Sequence, residues 1–220
     1  MFNIAIDGPA GAGKSSIAKA VSKELGFIYV DTGALYRAVG LHAIRNNIDT
    51  KDVENITAML DDVSVDLKFV DGEQRVMLNG DDVSSEIRFP EASMAASNVS
   101  AIPSVRSFLF DLQRKIASEN NCIMDGRDIG TVVLPNASLK IFLTASPEAR
   151  AKRRYDELIA KGTDVKFDDV LDDLNERDYQ DTHREIAPLK PAVDSVLLDT
   201  TDLTFAEVQA KIKKLAEERL

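Results

Sequence analysis

Tryptophan is absent from this chain, cysteine occurs once, histidine twice, and aromatic residues make up only 6% of it. The lone Cys122 cannot form an internal disulfide, and no C-x-x-C pair is available for zinc. A reducing, cytoplasmic setting is therefore expected. The longest apolar runs are strand-length, so no membrane span is expected. The opening stretch from Met1 to Asp7 has no basic, apolar or cleavage region, so it does not read as a signal peptide. Positive charge is scarce too, with 27 Lys and Arg against 37 Asp and Glu and a net charge of −10. A broad nucleic-acid footprint needs a basic domain, so DNA or RNA binding is disfavoured. Any anionic ligand must be held by positive charge placed locally.

What is present is the composition of an ordinary globular protein, 44% hydrophobic and 29% charged over 220 residues, enough for one domain with elaborations, or two small ones at most, and for a sizeable core. Short apolar runs alternate with amphipathic stretches, which predicts an α/β fold. Ile4-Ala5-Ile6 reads as a buried strand before a glycine-rich turn, and Lys14 to Leu25 as a helix stopped by Gly26. Phe27 to Val30 is a second strand and Gly33 to Arg45 a second helix. From Val63 to Arg88 the period changes to alternation, with Asp71-Gly72 as a hairpin turn, which predicts a small antiparallel insertion. Helical patterning resumes around Pro90 and is clear over Val105, Leu109, Leu112 and Ile116. Strands are expected at Cys122–Met124, Leu139–Leu143 and Val196–Leu198. Ser146-Pro147-Glu148 starts a further helix, another covers Asp168 to Thr182, and Thr204 to Glu207 forms a capping box before the last one.

Gly8-Pro9-Ala10-Gly11-Ala12-Gly13-Lys14-Ser15 fits G-x-x-x-x-G-K-[ST] at every fixed position, between the first strand and first helix. Its glycines let successive backbone N–H groups converge on phosphate oxygens. The helix start adds its positive dipole end, and the Lys14 ammonium reaches the β- and γ-phosphates. The Ser15 hydroxyl, next to that of Ser16, suits Mg²⁺, with Asp125 able to join through a water. There is no N-K-x-D base-reading motif for a GTPase switch. The strand ending Met124-Asp125-Gly126 lacks the paired glutamate of a motor ATPase. Both absences favour a small-molecule kinase.

Several arginines stand in loops or early in helices. Arg37 follows Asp31-Thr32-Gly33-Ala34-Leu35-Tyr36. Ser97 and Arg106 flank a helix start, and Asp125-Gly126-Arg127-Asp128 leaves a strand's C-terminal end, where open α/β sheets bind ligands. Arg150, Arg153 and Arg154 lie in the helix after the fourth strand. Arg177, Asp181 and Arg184, spaced i, i+4 and i+7, are expected on one helical face, where the plainer reading is a surface ion pair. His42 and His183 read as packing or surface residues, and Cys122 as a small buried apolar one.

Through GPAGAGKSS, DTGALYRA, AASNVSAIPSVR, DGRDIGTVVLP, KIFLTAS and ERDYQDTHREIAPL, the sequence resembles the bacterial cytidylate kinases over essentially its whole length. The resemblance implies a P-loop kinase: an α/β fold with a five-stranded parallel sheet flanked by helices, a small antiparallel β insertion and a short LID. It implies a single kinase domain over residues 1–220, with its P-loop at 8–16. The monophosphate-binding region would span about 31–118, with the insertion at about 63–88 and the LID at about 148–166. The implied reaction moves the ATP γ-phosphoryl group to CMP or dCMP, giving ADP and the diphosphate, within pyrimidine metabolism. Arg37 and Arg127 would grip the acceptor phosphate, with Thr32 and Asp125 nearby. Ser97, Arg106 and Asp128 would surround the cytosine, and Arg177 and Asp181 would face the ribose. Arg184 would lie by the transferring phosphate, and Lys152, Arg153 and Arg154 would close onto ATP. Lys14, Arg127, Arg153, Arg154 and Arg184 would form the catalytic set. A monomer is implied, with no nucleic-acid or membrane partner.

The base assignment has its own chemistry: Asp128 can accept from the cytosine amino group while Arg106 donates to O2 or N3, a pattern uracil reverses. A uridylate kinase on the same fold is the alternative reading, followed by a non-catalytic nucleotide-binding switch.

Overall fold

A computed structural model describes residues 1–70 and 73–220, so the turn expected at Asp71-Gly72 lies outside the described residues. Two compact units make up the chain. The first gathers Met1 and Ile28–Asn121, the second Phe2–Phe27 and Cys122–Leu220.

In the second unit, strands β1 (Asn3–Asp7), β6 (Cys122–Gly126), β7 (Leu139–Thr144) and β8 (Val196–Asp199) run parallel. β1 and β6 are buried almost throughout, which is why they read as continuous apolar runs rather than alternating ones. The register sets Ile6 beside Asp125 and Asp7 beside Gly126. That pairing delivers two loops, Gly8–Gly13 and Arg127–Asp128, from neighbouring strand ends. Helix α1 (Lys14–Leu25) starts and stops at left-handed glycines, Gly13 and Gly26, and buries Ile17, Ala18 and Val21. At the far end Thr204 and Glu207 form the expected capping box of α8 (Phe205–Glu217), which packs on α1. Helix α6 (Pro147–Ala160) is capped by the Ser146 hydroxyl, which accepts from the Ala149 N–H at 3.2 Å. It pairs with α7 (Phe167–His183) around a small core of Ala10, Ala151, Val170 and Leu174.

In the first unit, β2 (Ile28–Asp31) leads into α2 (Thr32–Arg45), and a short α3 (Val53–Met59) follows. The expected insertion is a three-stranded antiparallel sheet, β3 (Val65–Val70), β4 (Glu73–Leu78) and β5 (Asp81–Asp82). Helices α4 (Pro90–Ser100) and α5 (Pro103–Glu119) close the unit over a core of Leu35, Val39, Ile56, Leu78 and Leu109. Pro103 separates these two helices, because its ring bars the helical conformation at Ile102, which is extended. In the second unit the strand order is β6-β1-β7-β8, within the five-stranded parallel arrangement expected. Among the described residues no helix is long and apolar enough to cross a membrane.

Two differences from the expected elements have physical causes. Helix α3 escapes a periodicity search because it is a single short segment; its sequence signal is Asp52, whose carboxylate caps it by accepting from the Asn55 N–H at 3.1 Å. Helix α7 stops one residue before Arg184, whose backbone is extended at φ −61° and ψ 140°. The chain folds back there, with the Leu189 N–H donating to the Asp181 carbonyl at 2.8 Å, so only Arg177 and Asp181 share the helical face.

The tightest helix contact of the first unit is α2 against α4, where a Cβ on Gly40 would lie 2.7 Å from the Ala95 Cβ. Gly40→Ala is expected to lower stability by about 1–3 kcal/mol through overpacking, despite the better helix former. Urea unfolding measures it.

Candidate active site

The glycine loop and the end of β6 meet first through a hydroxyl. Ser15 donates to the Asp125 Oδ2 at 2.8 Å, which joins the P-loop serine to the strand-end acid. Lys14 is buried, and its ammonium donates to the Pro9 carbonyl at 2.7 Å. Burial, with the nearby Arg127 cation, pulls its pKa down to about 7, although the carboxylates of Asp125, Asp181 and Asp7 favour the charge. Gly8 carries the loop past β7, where a Cβ would come within 1.9 Å of the Leu143 carbonyl oxygen. No other residue can stand there.

The loop after β6 supplies two arginines, each held by a carboxylate. Arg127 Nε donates to Asp181 Oδ2 at 2.6 Å, and Arg184 Nη2 to Asp128 Oδ1 at 3.2 Å. Burial opposes the Arg127 charge, but Asp181 outweighs it and holds the guanidinium above its ordinary range. Burial likewise opposes ionisation of Asp181, and Arg127, then Arg184 and Arg177, keep its carboxyl below the usual value. Lys14, Ser15, Asp125, Arg127, Asp128, Asp181 and Arg184 therefore form one cluster, although Arg184 arrives by a turn rather than along a helix face.

Two positions in this unit went unmarked in the sequence, and a third was marked without its role. Asp7 accepts from the backbone N–H groups of Ile129 and Gly130, both at 2.7 Å, and so fixes a π-helical turn (Ile129–Val133) behind Asp128. Burial pushes its pKa up to about 6 against those two bonds. The second is Arg150, seen only as one of three helix arginines. It pairs with Asp178 at 2.6 Å and donates to the Ala10 carbonyl at 2.8 Å, while Asp178 accepts from the Ala10 N–H at 3.2 Å. Both polar groups of a P-loop residue are thus tied to α6 and α7. Thr200 is the third: its hydroxyl and carbonyl accept from Arg153, at 3.1 and 2.5 Å. The only sequence signals were a buried-looking acid at a strand end and charges spaced along two helices.

A cavity of about 490 Å³ opens behind the loop, lined among others by Gly11, Gly13, Arg153, Arg154, Leu203 and Phe205. Arg154 meets Glu157 at 2.9 Å, and Lys152 pairs with Asp156 at the surface. Cys122 is buried, which pushes its thiol up to about 12 and removes it from any reactive role.

The first unit places its expected residues in two groups. Thr32 opens α2, and Arg37 one turn on donates to Asp31 Oδ2 at 2.7 Å; Asp31 Oδ1 caps the helix by accepting from the Ala34 N–H at 3.0 Å. The Arg37 Nε is buried with no hydrogen-bond partner among the described residues. Ser97 lies near the end of α4, and Arg106 in the first turn of α5 donates back to the Ser100 carbonyl at 3.4 Å.

Removing Asp178 leaves the buried Arg150 guanidinium without its counter-charge. Asp178→Ala is expected to cost about 3 kcal/mol, the lower end for a broken buried pair because Asp178 is one-fifth exposed. Chemical denaturation checks it.

The cytidylate kinase family model matches residues 4–218. A cytidylate kinase of Caldicellulosiruptor bescii is 53% identical over 214 residues, covering 97% of this chain and 95% of that one. One from Lactobacillus johnsonii is 50% identical over 219 residues, covering 100% and 95%. Among solved structures, a shikimate kinase from Bacteroides thetaiotaomicron has the same fold, with a TM-score of 0.50 at 12% identity over 98% of both chains. A P-loop kinase fold, with matching sequence from end to end, establishes that the chain belongs to the cytidylate kinase family.

Proposed function

We propose that the protein transfers the γ-phosphoryl group of ATP to CMP or dCMP, giving ADP and the corresponding diphosphate. The observation that carries this reading is the buried cluster around Lys14, where two arginines are held by carboxylates beside a phosphate-binding loop. A single nucleotide phosphate chain would not call for so many fixed cations. On this reading the loop 8–16 holds the ATP phosphates, and the cavity edged by Arg153, Leu203 and Phe205 takes the donor nucleoside. Arg37 and Arg127 take the acceptor phosphate, with the Arg37 Nε able to donate to it. Asp128 and Arg106 read the cytosine, with Ser97 beside them, and Arg177 and Asp181 face its ribose. Arg184 stands by the phosphoryl group in transfer.

The chemistry asks little beyond alignment. The acceptor is already an anionic oxygen, so no base is needed. One P–O bond forms to the CMP phosphate as the bond to ADP breaks, with no proton moved. Lys14, Arg127 and Arg184 neutralise the charge shared by the equatorial oxygens, and they do so from positions fixed before substrate arrives. The Ser15 hydroxyl and Asp125 carboxylate, 2.8 Å apart, are the hard oxygen pair that suits Mg²⁺. Those two oxygens would hold the ion, which would supply positive charge to the phosphoryl group in transfer. Arg153 and Arg154 sit on the helix that borders the cavity and close it against water.

ADP formation with ATP and Mg²⁺ is expected to depend on CMP or dCMP in a screen of all nucleoside monophosphates. Turnover that stays at bare ATP hydrolysis in the presence of CMP overturns the reading, and a preference for UMP moves it to a uridylate kinase.

Lys14 adds a pH signature. Its pKa near 7 in the free protein rises when a triphosphate meets the ammonium, so ATP binding takes up a proton above neutrality. The full affinity is present below pH 7 and declines by up to about tenfold per pH unit as pH climbs towards the bound value. Calorimetry at about pH 8.5, in two buffers of different ionisation enthalpy, should register the uptake. Lys14→Met should abolish it.

A further inference from the structure

The antiparallel insertion has no part in the chemistry above, yet one of its side chains reaches the start of α2. Gln74, on the middle strand β4, accepts from the Asp31 N–H through Oε1 at 2.8 Å. Its Nε2 donates to the Asp31 carbonyl at 3.3 Å. One side-chain amide thus satisfies both backbone polar groups of a single residue, as a neighbouring strand would.

Asp31 is the residue at which β2 becomes α2. Its backbone is extended, at φ −82° and ψ 98°, while its carboxylate already serves the helix. One oxygen caps the Ala34 N–H and the other holds Arg37. Gly33 leaves the space for that contact, since a Cβ there would lie 3.2 Å from both Arg37 Nη1 and Asp31 Oδ1. The ion pair is about one-quarter exposed on each side. Such a pair is weak by itself, and it orients an arginine only if the carboxylate is itself held. The helix cap holds one oxygen, and Gln74 holds the backbone from which the carboxylate projects.

We propose that Gln74 is a positioning residue for the acceptor phosphate, through which the β insertion sets Asp31 and, by way of it, the direction of the Arg37 guanidinium. The inference rests on the reading of Arg37 as a ligand of that phosphate. It gives the insertion a task in the reaction: a longer connection between α3 and α4 carries a strand back to the one junction that aims the arginine. Loss of the amide leaves Arg37 present and charged but free to leave its aligned rotamer, so the cost falls on acceptor binding.

Gln74→Leu keeps the volume and removes both hydrogen bonds. In steady-state assays of the full chain with ATP and CMP, it should raise the KM for CMP about five- to tenfold. The KM for ATP should stay within about twofold and the far-UV spectrum should not change. In an Arg37→Lys background the same substitution should add less than about twofold to the CMP KM, because the group it aims has already lost its fork. An unchanged CMP KM in Gln74→Leu overturns the inference. So does an equal rise in both KM values, which marks a general structural role, and so does a full effect in the Arg37→Lys background. Absence of any CMP-dependent turnover in the wild type removes the functional reading first and this inference with it.

Discussion

An ammonium that binds phosphate must be charged when the phosphate arrives, and burial opposes that charge. On the proposed function Lys14 comes under this constraint, being out of water at the end of a glycine loop, and much of the second unit can be understood as a response to its burial. Three carboxylates, Asp125, Asp181 and Asp7, face the ammonium electrostatically, while Arg127 works against it. Each of these carboxylates also has a second duty. Asp181 holds Arg127, Asp125 holds Ser15, and Asp7 is tied to two backbone N–H groups. The result is a pocket whose two arginines are already held in place by carboxylates. That suits an anion with several oxygens.

The same logic shows how a chain with a net charge of −10 accommodates an anionic ligand. The acids are not merely background to a few basic residues. Asp31, Asp128, Asp178 and Asp181 each fix an arginine in place. A fixed guanidinium binds with less entropy left to lose, and each carboxylate offsets part of the cost of burying it. Acidity in this protein is therefore part of the cation-holding machinery.

Much of the fold was legible in the sequence because it depends on local rules. Glycines at both ends of α1, the Thr204–Glu207 box and the change of period at the insertion all act over a few residues. Helix α3 was hidden by its shortness, and the end of α7 by a turn that depends on the Leu189 N–H folding back to Asp181. Among site residues, the loop, Asp125, Arg127 and Asp128 stood out, since motif and strand end coincide there. Asp7, Asp178, Thr200 and Gln74 did not, because each acts on a partner more than forty positions away along the chain.

By itself, then, the sequence determined the glycine-rich phosphate loop and, apart from α3, the order of strands and helices. Those properties are written in spacing and side-chain chemistry. Tertiary structure alone decided which acid holds which arginine, that Arg153 is anchored on Thr200, and that the insertion returns a glutamine to the Asp31 backbone. Such pairings are set by the register of distant strands and the stopping points of helices. Sequence spacing carries no record of a contact made across the fold.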